Sequence, residues 1–481
     1  AVKDYVRPPE VSSVVLSPNG KYLAVVMPIR DRRNLAVIDI EARTSKVLTG
    51  LTSMDVLNPR WVGNDRLLFT MGEADTPTGV VNGGGLFMVS RDGRESRTLN
   101  QTRKDSRRQI SLLATIPGND KEVLVEGNLR SADSSDIYRL DITTGRSTLV
   151  TETRPDRTGG YLLDRNRVPR IAFSSVKDSL ENIVWYKETP ESPWTEIGRS
   201  SEDPRATTLK NGEPILVPLA IDNDDRTLLV ATARDRDTYA IARFDPKTRQ
   251  FGEVLASHAR YDMGVNALGD TVPGLVRKPV TGEIIGYRVE AERPQTSWTD
   301  ESYARLQALV DRSLPGRVNT FQRSEGRTLI TSYSDRVPPE YFLMDEAARK
   351  IEMVAASKPW LAPKDLPEQR PFLLKTRDGL EIPSYYFLPT NYQPGQKLPT
   401  VVHIHGGPMV RADTFANGYG VFEAQLLASR GYAVIVPNFR ITPGFGQKIL
   451  LAGYGAVGRE MSEDHEDAVK WAVAQGFTDP N

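Results

Sequence analysis

An all-β array of short repeats, followed by a smaller α/β region, is the fold class that the sequence predicts, and three observations carry it. From Val11 to about Ser357, apolar runs alternate with polar turn clusters at a period of roughly 45 to 60 residues, the range of propeller blades. Beyond a proline-rich connector the pattern changes to strand, helix, strand, which is a βαβ unit. At the end of the first of those strands stands His405-Gly406-Gly407-Pro408, a turn whose two glycines let backbone N–H groups converge on an anion.

The repeats have two recurring parts. The first is a polar turn before an apolar run: Ser17-Pro-Asn-Gly20, Gly63-Asn-Asp65, Pro117-Gly-Asn-Asp120, Asp222-Asn-Asp-Asp225 and Ser324-Glu-Gly326. Gly, Asn and Asp join adjacent strands tightly because they tolerate positive φ or hydrogen-bond their own backbone. The second part is an apolar run ending in Asp, as in Ala36–Asp39, Tyr138–Asp141, Ala242–Asp245 and Tyr341–Asp345, read as the outer hairpin of each blade. Together they predict about seven blades. Those near 160–200 and 263–323 are weakly marked. The latter carries an insertion, 299–314, in which Tyr303, Leu306, Val310 and Leu314 share a helical face. A pair of β-sandwiches is the alternative topology for such strands.

Ser357 to Pro367 holds three prolines in eleven residues and reads as an extended connector. An Asp378-Gly379 hairpin then opens the second region near Pro371. Val401, Val402 and Ile404 predict a strand covered on both faces. A helix from Tyr419 to Ser429 and a buried strand from Tyr432 to Pro437 follow. The last helix is predicted from Ser462 to Gln475, with Ser462 as its N-cap, Glu463 and Asp464 in the first turn, and Ala468, Trp471, Ala472 and Gln475 along the packed side.

His-Gly-Gly after a strand is the oxyanion-loop signature of α/β-hydrolases. Taken with Asn438-Phe439-Arg440, Gly444-Phe445-Gly446 and the Asp464 to Trp471 helix ending at Gly476-Phe477, it resembles the start of the catalytic domain of the prolyl oligopeptidase family of serine peptidases, the bacterial acylaminoacyl-peptidase-like members above all. The resemblance covers nearly the whole chain and implies a propeller ahead of the hydrolase. It assigns the backbone N–H near Gly407 to the oxyanion hole, with His405 and Gly406 beside it. The family's next element is a Gly-x-Ser-x-Gly elbow, which this sequence lacks, so the catalytic Ser, Asp and His are expected beyond Asn481 and no catalytic residue is assigned within 1–481. Two departures stand out: His405 opens the Gly-Gly turn where prolyl oligopeptidase itself has a tyrosine, and Ile441-Thr442-Pro443 stands where the family usually has Gly-Ser. The adjacent glutamates by which dipeptidyl-peptidase relatives hold a substrate's amino terminus are also missing, which argues against that subgroup.

Composition excludes several classes. Lys+Arg and Asp+Glu are both 62, which gives no basic excess for nucleic acid or anionic lipid. No apolar run is long enough to span a membrane. The absence of cysteine excludes disulfides, thiolate catalysis and Cys-ligated zinc. Among the four histidines, His258 reads as an exposed loop residue, and His403 and His405 share a strand face without further ligands, so neither a metal nor another cofactor is expected. Ser462 and His465 lack an oriented third group for nucleophilic chemistry. Ala1 in place of an initiating Met fits an exported, periplasmic or secreted protein, otherwise a cytoplasmic one.

The sequence therefore predicts an N-terminal β-propeller (1–357), a linker (358–370) and the N-terminal part of an α/β-hydrolase domain (371–481). The expected function is hydrolysis of short peptides, size-limited by the propeller and completed by a C-terminal catalytic segment of the same polypeptide or a nicked chain. An esterase on the same fold and a non-catalytic binding propeller remain the alternatives.

Overall fold

The computed structural model describes residues 2–74, 83–100, 109–203, 206, 209, 213–418 and 421–480. Tyr419 and Gly420, which open one predicted helix, lie outside the described residues, as do the terminal Ala1 and Asn481. Seven antiparallel sheets succeed one another along the described part of residues 13–356, six of four strands and the sixth of three, consistent with a β-propeller. The first is Ser13–Leu16, Tyr22–Ile29, Arg32–Asp39 and Thr44–Val47; the seventh is Val318–Arg323, Arg327–Tyr333, Glu340–Asp345 and Lys350–Ala356. The Gly/Asn/Asp turns singled out in the sequence join the first and second strands of their sheets, and the Asp-terminated runs end the third strands.

Apolar side chains from successive sheets interdigitate. Ala24, Val26, Leu35 and Val37 of the first sheet pack on Val56, Trp61, Leu67 and Phe69 of the second, and the seventh returns Leu329 and Tyr341 onto Leu16, Leu23 and Val25 of the first. That last contact closes a ring. Among the described strands none is exchanged across the closure. The Gln322 side chain instead pairs with both backbone groups of Leu16, at 3.0 and 2.8 Å, and Arg327 donates to the Gly20 carbonyl at 2.9 Å. Gly20 has φ +68°, and a Cβ there would lie 2.6 Å from the Glu325 carbonyl, so the seam needs glycine. The sixth sheet carries the helix Glu301–Ser313, capped by Asp300, which accepts from the Ser302 N–H at 2.8 Å. Its buried Tyr303, Leu306 and Val310 form the predicted face.

The second region is a four-stranded sheet in the order Arg370–Lys375, Glu381–Phe387, Ala433–Val436, Thr400–Val402, in which only the last two strands are parallel. Helix Val421–Ala428 links those two as the predicted βαβ unit, and helix Glu460–Ala474 lays Ala468 and Ala472 on the sheet while Trp471 stacks on Phe372, 3.8 Å between ring centroids. Three expectations need correction. The Thr400–Val402 strand is half-buried and Ile404 is 44% exposed, because the strand lies outermost among the described strands and has a full partner on one side only. Ser462 is no cap: the helix starts two residues earlier, at Glu460, since the preceding turn already holds the Met461 N–H on the Ala456 carbonyl. Gln475 is exposed rather than packed, because it falls at the helix end beyond the sheet. Among the described residues, no helix is long and apolar enough to cross a membrane.

Arg440 is 4% exposed and its partner Asp464 fully buried; the guanidinium bonds Asp464 at 2.7 and 2.9 Å and reaches Asp378 at 3.0 Å. Replacing Asp464 by Ala leaves a buried cation short of its main partner, so denaturant unfolding of the intact protein is expected to show a loss of about 3–5 kcal/mol.

Candidate active site

The strand Thr400–Val402 delivers the chain to the glycine turn. The His403 N–H still reaches the Ile435 carbonyl at 2.8 Å; after it the backbone leaves the sheet. On the strand's other side Leu398 bridges in parallel to Thr478, so the segment leaving the last helix lies beside the strand that ends in the turn. Gly407 has φ +135°, and a Cβ there would meet Val410 at 2.4 Å, whereas the space at Gly406 is open. Among the described residues neither the Gly406 nor the Gly407 N–H has a protein acceptor, which leaves both available to an anion.

His405 is 3% exposed. Its Nδ1 lies 2.8 Å from the Gly406 carbonyl, which can only accept, so Nδ1 carries the proton and a neutral ring keeps its lone pair on Nε2. Phe439 stands between His405 and His465, at 4.9 and 5.0 Å from the two ring centroids. Nε2 of each imidazole is buried without a partner among the described residues. Burial holds the His465 ring below the ordinary histidine range, and the neighbouring His405 adds to this, against the pull of Asp464. His403 lies apart from this pair and meets Glu423 at 2.8 Å. Ser462 is exposed while the His465 ring turns to Phe439, so the structure brings no nucleophile and base together there. His258 is half-buried against Tyr261 rather than freely exposed, because Arg260 turns its N–H back onto Nδ1.

Two loops beside the turn are gripped by the propeller. Arg411 donates to the Glu290 carbonyl of the sixth sheet at 2.7 Å and lies over the rings of Tyr261 and Phe445. Around Gly444-Phe445-Gly446, Asp262 gives its N–H to the Gly444 carbonyl at 3.1 Å, and Asp237 accepts from the N–H groups of Gln447 and Lys448 at 3.1 and 2.7 Å. A Cβ on Gly446 would strike Asp237 at 2.6 Å. Burial pushes the Asp262 carboxyl up to about 6, against the N–H bonds it accepts from Tyr239 and Gly446. None of these propeller partners was identifiable from the sequence; the glycines at 444 and 446 were the one visible sign of a close approach.

The sequence model of the prolyl oligopeptidase family matches residues 418–481. Over 98% of its length the chain is 27% identical to dipeptidyl aminopeptidase BIII of Pseudoxanthomonas mexicana, covering 65% of that protein. Together these likenesses support a place in the prolyl oligopeptidase family. It is also 25% identical to dipeptidyl peptidase family member 6 of Caenorhabditis elegans, again over 98% of the chain and covering 64% of that relative. It thus spans just under two thirds of the length of these relatives. Among solved structures the fold is similar to a prolyl endopeptidase (TM-score 0.63, 13% identity, all of this chain and 68% of that one) and to Pyrococcus horikoshii acylaminoacyl peptidase (0.58, 13%, 99% and 73%). Two family relatives carry dipeptidyl-peptidase names although no two glutamates are adjacent here; Glu290 and Glu292 come nearest, one residue apart beside Arg411.

The sign of the Asp262 shift gives a test of the grip. Docked, this carboxyl holds its proton up to about pH 6; undocked and hydrated it would titrate near the ordinary value of about 3.9. Docking is therefore favoured at low pH, and the advantage is lost as pH rises through about 6. Amide exchange at Gly446 and Lys448, corrected for intrinsic rate, should be slower at pH 5 than at pH 7.5, and Asp262→Asn should flatten the difference.

Proposed function

We propose that residues 1–357 form a propeller covering the first part (371–481) of the α/β-hydrolase domain of a serine peptidase that cleaves short peptides through an acyl-enzyme, with 358–370 as linker. The observation that carries this reading is the pair of unpartnered N–H groups at Gly406 and Gly407, at the end of a parallel strand in a family whose named relatives are peptidases. In acyl transfer a seryl oxygen attacks the scissile carbonyl and a tetrahedral oxyanion forms; N–H groups fixed in advance at that point lower the barrier without reorganising. Because the Nδ1–H of His405 is spent on the Gly406 carbonyl, the ring shapes the turn and the backbone supplies the donors. The Ser, Asp and His of the triad are proposed to come from residues other than 1–481, since no Gly-x-Ser-x-Gly occurs among these.

A second reading, removal of N-terminal dipeptides, is favoured by one observation besides the relatives' names: Glu290 and Glu292 place two carboxylates on the propeller segment that Arg411 joins to the glycine turn. Such a pair suits a free ammonium group.

Both readings are tested on the full-length protein. Gly407→Ala keeps the N–H but not the backbone at φ +135°, and should lower kcat on a peptide substrate by about a hundredfold or more with KM little changed. Turnover that survives with the fold intact removes Gly407 from the hole. Faster cleavage of an ester than of its matched peptide points to the esterase alternative. Comparing free with acetylated N-termini separates the dipeptidyl reading, which requires the free amine, from endopeptidase action.

A further inference from the structure

A ring of sheets has two mouths. Among the described residues, the propeller connections that grip the second region join a second strand to a third, at Asp237 in the fifth sheet, Glu290 at the end of its strand in the sixth and Asp335 in the seventh, or, at Asp262, the last strand of the fifth sheet to the first of the sixth. Neighbouring strands are antiparallel, so the first-to-second turns frame the opposite mouth.

Across that opposite mouth lies Arg167, in the first-to-second turn of the fourth sheet between strands Thr158–Leu163 and Pro169–Ser175. Its Nε donates to the Thr115 carbonyl, at the end of the first strand of the third sheet, at 2.8 Å. Its Nη2 donates to the Val280 carbonyl, in the first-to-second turn of the sixth sheet, at 3.1 Å. One side chain thus links the third, fourth and sixth sheets, the last of which is not its neighbour in the ring. Gly282 is where the guanidinium seats: a Cβ there would lie 3.0 Å from Arg167 Nη1, and its φ is +75°. From the sixth sheet Arg277 reaches back to the Leu219 carbonyl of the fifth at 3.4 Å.

Neighbouring sheets on this face are already tied pairwise. Arg165 bonds Asp225 at 2.8 Å between the fourth and fifth, and Asn223 exchanges two hydrogen bonds with Ile284 between the fifth and sixth. A chord between non-adjacent sheets adds little to what these ties secure. What it changes is the opening. Among the described residues the guanidinium of Arg167 bonds to carbonyls, and the nearby Asp164 is engaged by Arg170 at 3.3 Å. Partial desolvation holds both guanidiniums below the ordinary arginine range, and the Arg167 charge lowers Arg277 further, although Arg277 keeps an exposed surface.

We infer that Arg167 closes the mouth of the ring remote from the glycine turn and acts as a specificity-determining residue, barring extended peptides from that face. Substrate then enters, and product leaves, where the ring meets the second region. This rests on the peptidase reading above.

The test uses the full-length enzyme, a short peptide and a long unstructured one. Arg167→Met, which keeps the aliphatic stem but none of the donors, should raise the long-to-short ratio of kcat/KM by about tenfold while the short peptide is cleaved as before. Arg167→Lys, able to reach one carbonyl at a time, should fall between and serves if the Met variant fails to fold. Arg165→Ala, which removes a tie between neighbouring sheets on the same face, should leave the ratio unchanged. An unchanged ratio in both folded Arg167 variants, or an equal rise with Arg165→Ala, overturns the inference. Failure of the wild-type enzyme to cleave any peptide instead refutes the peptidase reading beneath it.

Discussion

The buried guanidinium of Arg440 is the tie on which the second region depends. It joins the Asp378 turn, the Asn438–Arg440 segment and the last helix through Asp464, whose carboxylate also takes the Arg440 N–H at 2.9 Å. Desolvating such a pair costs several kcal/mol, so it holds only where nearly every donor and oxygen is satisfied. That requirement gives specificity: the segment can lie in one place only, and Phe439 is then fixed between His405 and His465. The neighbouring Arg377 fans onto Asp467, Glu466 and Glu463, but it is 37% exposed and its pairs contribute less.

With Phe439 fixed, the glycine turn has one wall from its own region and another from the propeller. A single apolar cluster runs from Ala220, Leu229 and Ile241 of the fifth sheet through Tyr261 and Phe445 to Leu374, Ile435 and Ala468 of the second region. Backbone-to-carboxylate bonds at Asp237 and Asp262 then fix the register across that seam. The ring of sheets is therefore part of the frame that holds these loops.

Legibility in the sequence follows the range of the interaction. Turns such as Ser17–Gly20 and Asp222–Asp225 were readable because their chemistry is local: Asp and Asn bond to backbone two or three residues away. The Tyr303, Leu306 and Val310 face and the βαβ unit were readable from periodicity, and the site turn from its two glycines. Ser462 misled because its cap-like composition was overruled by the turn at Ala456, whose carbonyl takes the Met461 N–H. The burial expected of Val401 and Ile404 failed because burial depends on neighbouring strands, which a strand's own residues do not encode. The grip of Asp262 on the Gly444–Gly446 segment spans more than 180 residues of sequence, and nothing local to either end announces it.

Ile441 shows how the seam and the site are coupled. It stands at φ +82°, a region costly for a β-branched residue. The cost, about 1–3 kcal/mol, persists only where surroundings over-determine the conformation. Here they do. Gly453 leaves room that a Cβ would fill, lying only 2.2 Å from the Ile441 Cβ, and the Ile441 N–H is held by the Ile449 carbonyl at 2.9 Å. The side chain is 2% exposed, in a cluster with Phe439, Leu450, Met461 and Ala267. Ala267 belongs to the propeller. Part of what holds the strained backbone next to Arg440 is thus supplied across the seam, and undocking the propeller would release strain one residue from the tie that positions Phe439. The strained backbone at Ile441 thereby makes the geometry of this loop depend on the ring of sheets packed against it.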